Sequence, residues 1–341
     1  MKKFQVGIIG VGRIGRVHAQ SITYHVPNAT VKAVSDVHLE GVAEWAETLG
    51  ITEVYEDYHK ILEDPEIDAV LVCSSTDTHS SISAEAAMAG KHIFCEKPID
   101  HDLGRIQMAL DAVEKAGVKF QVGFNRRFDT NFARINQVTK DGTIGDPHII
   151  KITSRDPEPP PVSYVKVSGG LFLDMMIHDF DMARFQAGSE VEEVYAVGTC
   201  LVDPGIGEAG DVDTAIVTLK FKNGAIGVID NSRQAVYGYD QRVEVFGSKG
   251  AIHANNETET TTVLSTKDAV ITDKPLYFFL ERYMQSFGEE LKQFFMAIEN
   301  DTETPVNGND GLQPILMGLA AKKSLEENRP VKISEIVALM K

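Results

Sequence analysis

A two-part α/β chain is predicted: an N-terminal domain built on a parallel sheet, then an α+β domain with a mostly antiparallel open sheet. Three observations lead there. The first third alternates short, continuously apolar runs with helical patterns, which implies a parallel sheet covered on both faces. After about Phe124 strand-like segments follow one another with few helices between them. A length of 341 residues with 43% hydrophobic composition supports about two cored domains. The boundary is expected after residue 123, giving domains 1–123 and 124–341, with the last helix free to pack back on the first domain.

In the first domain, residues 5–10 read as a buried strand, 14–23 as a helix, 29–36 as a strand and 41–49 as a helix. Strand 69–73, helix 81–89, strand 92–95, helix 103–116 and strand 119–123 follow. In the second, strands are expected at 148–154, 194–202, 214–221, 225–231 and 242–246, with Asn223-Gly224 as a hairpin turn in which both residues must tolerate positive φ. Helices are expected at 171–185, 277–299 and 312–326. No internal repeat is evident, and the prolines among residues 157–161 form an extended loop too short for a linker.

Composition removes several function classes. A net charge of -17 repels phosphate backbones and anionic lipid, so no nucleic-acid partner is expected. No apolar run approaches the roughly 18 residues of a membrane span, and Met1-Lys2-Lys3-Phe4 leads directly into a strand instead of a signal peptide. No membrane association and a cytoplasmic location are expected. Cys73, Cys95 and Cys200 are an odd, widely spaced set, which suggests neither disulfides nor a thiolate metal site.

Gly10-Val11-Gly12-Arg13-Ile14-Gly15 matches G-x-G-x-x-G, follows the first strand, and opens the first helix. Asp36 ends the second strand about 20 residues on, as a Rossmann dinucleotide site requires. Gly10 permits the tight turn, Gly12 lets the backbone approach a pyrophosphate, and Gly15 lets the helix pack closely; the helix N-terminus supplies N–H groups to the anion. The Asp36 carboxylate accepts from ribose hydroxyls and repels a 2′-phosphate, and Val37 and His38 supply no arginine, so NAD is expected over NADP. Ser74, Ser75, Thr76 and His79 follow the third apolar strand, at the sheet edge where ligands gather, and should also line the cofactor.

Glu96-Lys97-Pro98 ends another buried strand at that edge, which places a long cation near the nicotinamide. Asp174, His178 and Asp181 fall at i, i+4 and i+7, which lines them on one face of the expected helix 171–185. A carboxylate one turn from an imidazole can fix its tautomer and raise its basicity. A zinc reading needs three or four convergent ligands, and no companion motif such as His-Glu-x-x-His is present, so no metal is expected.

These motifs, with Gly169-Gly170 leading to Asp174-x-x-x-His178-Asp179, resemble the glucose–fructose oxidoreductase and inositol dehydrogenase family over essentially the whole chain. The segments 122–129, 154–157 and 231–242 are similar to the bacterial inositol dehydrogenases within it. The resemblance implies NAD-dependent oxidation of a small-molecule polyol, myo-inositol to an inosose, with Lys97, Asp174 and His178 catalytic. It implies that Arg127, Arg155 and Tyr237 border the substrate or nicotinamide; Asn125 joins them, Lys97, Asp174 and His178 in the mixed donor and acceptor set expected around the substrate, and Glu96 and Lys97, at a strand end, are expected beside the cofactor. The alternatives are a dehydrogenase of another sugar or inositol isomer, and an NAD- and sugar-sensing homologue without turnover, since the family includes non-catalytic members. An antiparallel sheet with helices on one face leaves the other needing cover, so a homo-oligomer, a tetramer, is expected.

Overall fold

The computed structural model describes residues 3–340; Met1 and Lys2, part of the expected direct entry into the first strand, lie outside them. The chain divides into two compact units, residues 1–128 with 285–313, and residues 129–284 with 314–341. The first unit therefore runs past the expected boundary to Phe128 and takes in a segment returning from far along the chain.

Its sheet is parallel throughout, in the order β3-β2-β1-β4-β5-β6. The elements are β1 (Phe4–Ile9), α1 (Arg13–His25), β2 (Ala29–Ser35), α2 (Val42–Thr48), β3 (Glu53–Tyr55), α3 (His59–Glu63), β4 (Ala69–Val72), α4 (Thr76–Met88), β5 (His92–Cys95), α5 (Leu103–Ala116) and β6 (Phe120–Val122). The central strands β4 and β5 are buried almost end to end, which is why they read as unbroken apolar runs. Strand β3 and helix α3 were not anticipated: β3 is a three-residue, half-buried edge strand that leaves no periodic signal. Helix α4 begins at Thr76, earlier than expected, so Ser75 is its N-cap residue.

In the second unit, α6 (Thr130–Lys140) precedes β7 (Pro147–Arg155), α7 (Val162–Ser168), α8 (Ile177–Ala187), β8 (Val191–Thr199), α9 (Pro204–Glu208), β9 (Thr214–Phe221), β10 (Ile226–Ser232), β11 (Asp240–Gly247) and β12 (Gly250–Ala254). A separate hairpin pairs β13 (Val263–Ser265) with β14 (Val270–Thr272). Helix α10 (Phe279–Arg282) follows; α11 (Met284–Glu299), from Gln285 on, and the start of α12 (Gly308–Glu327) belong to the first unit, and the rest of α12, β15 (Val331–Lys332) and α13 (Ile333–Val337) to the second. The sheet order is β12-β11-β7-β10-β9-β8-β15, antiparallel except where β10 runs parallel to β7. Helix α6 was missed. Its start is written in Asp129, whose carboxylate caps the N–H groups of Asn131 and Phe132.

Two local expectations need correction. Between β9 and β10 only Gly224 takes positive φ, at 89°; Asn223 does not, because this is a three-residue turn closed by Phe221 N–H to Ala225 C=O and Gly224 N–H to Phe221 C=O. The expected helix 171–185 is broken: Leu171–Met175 is a π turn, closed by Met176 N–H to Leu171 C=O at 2.8 Å, and α8 starts afresh at Ile177.

Candidate functional site

The candidate cofactor turn and its neighbours are built at the carboxyl ends of β1, β2, β4 and β5 of the first unit. Gly10 has φ of +90°, and a Cβ there would stand 2.6 Å from the backbone of Cys73 and Ser74. A Cβ on Gly15 would stand 2.0 Å from the Gly10 carbonyl oxygen. Both positions exclude any side chain. Gly12 instead faces open space and caps α1 with no side chain of its own, leaving the first N–H groups of the helix for an anion. Asp36 draws the turn together: one carboxylate oxygen accepts from Val11 N–H at 2.8 Å and the other from His38 N–H at 2.9 Å. Each oxygen keeps a further lone pair for a ribose hydroxyl. Arg13 is exposed and Ile14 half-buried at the start of α1. Arg16 is committed to the Val11 carbonyl at 3.0 Å and to the face of Trp45 at 4.7 Å. The turn, the free helix start and the strand-end carboxylate together fit a dinucleotide.

Among the β4-end residues, Ser75 is exposed and Thr76 half-buried, and the Ser74 hydroxyl pairs with the Thr78 hydroxyl at 2.7 Å. His79 is buried and joins two loops, with Nε2 at 3.0 Å from the Ser74 carbonyl and Nδ1 at 2.8 Å from the Pro98 carbonyl. Its place is that of a strut between the loops. Glu96 turns its carboxylate into the unit, onto His18 Nε2 at 2.6 Å, and Lys97 is half-buried. Asn125 Nδ2 donates to Ser286 Oγ at 3.2 Å and Arg127 Nη2 to Asp310 at 2.9 Å, both within this unit.

In the second unit, Gly169 and Gly170 have φ of 91° and 77° and lead into the π turn. Asp211 accepts from Leu171 N–H at 2.9 Å, and a Cβ on Gly170 would meet its carboxylate at 2.7 Å. Burial pushes the Asp211 carboxyl up, offset in part by the N–H groups of Val212 and Leu171 and by Arg233. Asp174 lies in the π turn, where one oxygen accepts from Tyr164 Oη at 3.0 Å and the other from Arg233 Nη2 at 3.3 Å. Arg233 is 3% exposed and also faces Asp156 at 3.7 Å. His178 is half-buried in the first turn of α8. The π turn removes the regular i, i+4 stacking expected of Asp174 and His178. Asp179 and Asp181 are buried, Asp179 accepting from Asn231 Nδ2 at 3.0 Å, so α8 is not a wet face.

Tyr164, Asp211 and Arg233 were not among the expected site residues. Their separation from Asp174 along the chain leaves no spacing signal. Arg155 and Tyr237 were expected beside the substrate, and the structure joins them to each other: Arg155 donates to Tyr237 Oη at 3.1 Å and pairs with Asp230 at 2.5 Å. Asn231 faces α8, so Asp230 and its partner Arg155 lie on the opposite face of the sheet from Asp174 and His178. The three cysteines are free; burial pushes the Cys95 thiol up to about 12 and that of Cys73 well up, which makes both poor nucleophiles.

Comparison with known proteins decides the family. Residues 4–124 match the profile described as an oxidoreductase family with an NAD-binding Rossmann fold, and residues 132–253 match the GFO/IDH/MocA C-terminal domain. The chain belongs to the GFO/IDH/MocA oxidoreductase family. It is 54% identical over 98% of its length, and 99% of the relative's, to a myo-inositol 2-dehydrogenase of Thermotoga maritima. It is 44% identical to an inositol 2-dehydrogenase of Rhizobium meliloti over 96% of this chain and 98% of that one. A solved scyllo-inositol dehydrogenase of Lactobacillus casei, with bound NAD(H) and scyllo-inositol, superimposes with a TM-score of 0.90 at 32% identity, covering 98% of this chain and all of that one. This GFO/IDH/MocA member is thus an NAD-dependent oxidoreductase. Among the described residues no helix is long and apolar enough to cross a membrane.

Proposed function

We propose that this enzyme oxidises myo-inositol at one ring carbon to an inosose. The observation that carries the reading is the 54% identity, over nearly the whole of both chains, to a myo-inositol 2-dehydrogenase. Bound NAD supplies the hydride acceptor. His178, neutral, takes the hydroxyl proton as the carbon loses hydride, and Lys97 stabilises the alkoxide-like oxygen that develops. Asp174, held by Tyr164 and Arg233, presents a fixed carboxylate from the π turn that precedes the helix of His178. Asn125, Arg127, Arg155 and Tyr237 are proposed substrate residues, Arg155 with its partner Tyr237 standing on the sheet face away from α8. A neutral ring polyol needs a mixed set of donors and acceptors and no dedicated anion clamp.

Oligomerisation is supported by the sheet of the second unit. Ile149, Val197, Ile216, Ile226 and Phe246 are each between 40% and 56% exposed on the face away from α8. Phe246, Ile149 and Ile226 are direct neighbours across three strands. A second copy covering that face, within a homotetramer, is the proposed arrangement. The free thiols fit a reducing cytoplasm.

The test is kcat/KM with NAD for myo-inositol, scyllo-inositol and glucose. Myo-inositol should be preferred. A stereoisomer with one inverted hydroxyl leaves a buried polar group unpaired, at about 1–3 kcal/mol or roughly 5- to 150-fold. Preference for scyllo-inositol would support the second reading, which the likeness to the Lactobacillus casei enzyme favours. A tenfold preference for glucose would remove inositol altogether, and absence of any NADH absorbance would make the protein a sensor.

A further inference from the structure

One buried group of titratable side chains in the first unit takes no part in the chemistry above. His18 on α1, Glu96 after β5 and Glu290 on α11 are 0%, 7% and 0% exposed. Their ligand-type atoms all lie within 4.8 Å of one another. His18 Nε2 and Glu96 Oε1 are 2.6 Å apart, and Glu96 Oε2 accepts the backbone N–H of Lys97 at 3.2 Å. Among the described residues neither oxygen of Glu290 has a hydrogen-bond partner, nor does His18 Nδ1. The surroundings are apolar: the His18 ring meets Phe94 and Phe287 edge-on at 5.1 and 5.7 Å, and Phe94 packs on Phe294 at 6.0 Å. From the other side, a Cβ on Gly123 would press on the Glu96 carboxylate at 3.0 Å.

Two carboxyls and an imidazole at this depth cost desolvation that apolar side chains of similar volume would avoid, so stability alone does not account for them. An ion-binding role fits poorly. His18 and Glu96 already stand at hydrogen-bond distance, and the second ring nitrogen lacks the acceptor that orients a ligating histidine. What the cluster grips is the turn carrying Lys97. Glu96 is the preceding residue, one of its oxygens is bonded to the Lys97 backbone, and the other reaches back to α1.

We propose that His18 and Glu290 are positioning residues for Lys97: His18 holds the Glu96 carboxylate inside the unit through its Nε2, Glu290 closes over the pair from α11 within 4.8 Å, and Glu96 fixes the backbone from which Lys97 projects. The inference rests on Lys97 acting at the reacting oxygen. Burial, and then the neighbouring Glu96, hold the Glu290 carboxyl well above the usual range, so Glu290 serves as a neutral acid beside a carboxylate.

The test is a double-mutant cycle on the full-length enzyme, measuring kcat, KM for myo-inositol and the NAD dissociation constant. His18→Gln should lower kcat about 10-fold with KM and NAD affinity within about twofold. Adding it to Lys97→Ala should cost nothing further, within about twofold, because both act through one group. Glu290→Ala should behave like His18→Gln, and Glu290→Gln, a neutral side chain of the same shape, should recover most of that loss. Losses that multiply in the double variant overturn the proposal while leaving Lys97 its role. A normal kcat in Lys97→Ala alone overturns the role of Lys97 and this proposal with it. Recovery of His18→Gln and Glu290→Ala only as unfolded protein also overturns it, since the cluster would then serve the fold.

Discussion

The two glycine-led segments, Gly10–Gly15 and Gly169–Asp181, are built in opposite ways. In the first, what forbids a side chain is backbone: the Gly10 carbonyl closes on Gly15, and the Cys73–Ser74 backbone closes on Gly10. In the second, what shapes the turn is a set of side chains from separate elements: Asp211 on the Leu171 N–H, Tyr164 and Arg233 on Asp174, and Asn231 on Asp179. A site made by backbone closure travels as a short motif. One made by remote side chains works only in the fold that delivers them, so the two should respond differently to substitution.

The largest effect separates chemistry from cofactor binding. His178→Ala should lower kcat by about 100-fold or more, the usual scale for a general base, with little change in the NAD dissociation constant. Lys97→Ala should do the same through loss of charge stabilisation. Near-normal turnover in either variant would falsify the role given to that residue. Next in size is the remote support. Arg233→Met leaves Asp174 and Asp156 without their buried cation, and breaking such a pair costs roughly 3 kcal/mol. A fall in kcat of about tenfold and a lower Tm are expected together. If Tm falls and kcat does not, Arg233 supports the fold alone.

The same contrast decides how much could be read beforehand. The parallel sheet, the tight glycine turn and the strand-end place of Asp36 were legible because apolar runs, glycines and a fixed interval to the acidic residue are local properties of the chain. The break at Leu171–Met175 was not. Spacing assumes a helix of constant pitch, whereas the Gly170 φ of 77° and the Asp211 bond to Leu171 set this one. Arg233 and Tyr164 were passed over for the same reason. Arg155 and Tyr237 came from resemblance, which does not say which face of a sheet a strand-end residue occupies. The inward turn of Glu96 was equally hidden, since its partners lie on α1 and α11.

A smaller effect tests the cofactor turn. Asp36→Ala removes the proposed ribose acceptor, the charge proposed to repel a 2′-phosphate, and two bonds that hold the turn. Charged hydrogen bonds contribute about 1.5–3 kcal/mol, so NAD affinity should fall about tenfold or more and the preference over NADP should shrink, as read by fluorescence titration with each cofactor. Equal use of both cofactors by the unaltered enzyme would remove Asp36 from this role.

The smallest effect extends the comparison to buried carboxyls that are supported and unsupported. Among the described residues the Glu290 carboxyl has no hydrogen-bond partner, and its folded-state pKa is raised by burial and by Glu96. The folded protein keeps a proton there that the unfolded chain releases. Stability from this group therefore falls as pH rises from the ordinary carboxyl range through the raised value. Asp240 is the opposite case: although burial works against it, bonds from Arg242, Tyr237 and Asn256 hold its pKa below the ordinary value. Its contribution is present above the ordinary carboxyl pKa and is lost as pH falls through the lowered one. Glu290→Gln cannot ionise, so its Tm should gain on that of the unaltered enzyme as pH rises from about 5 to 8, by about 2 °C or more. Asp240→Asn should instead lose most at neutral pH and draw level toward acid. Taking each difference at matched pH cancels the other titrations of the chain. A Glu290→Gln difference that does not change with pH would mean that Glu290 is ionised in the folded protein throughout, and the buried cluster would then need another source of positive charge.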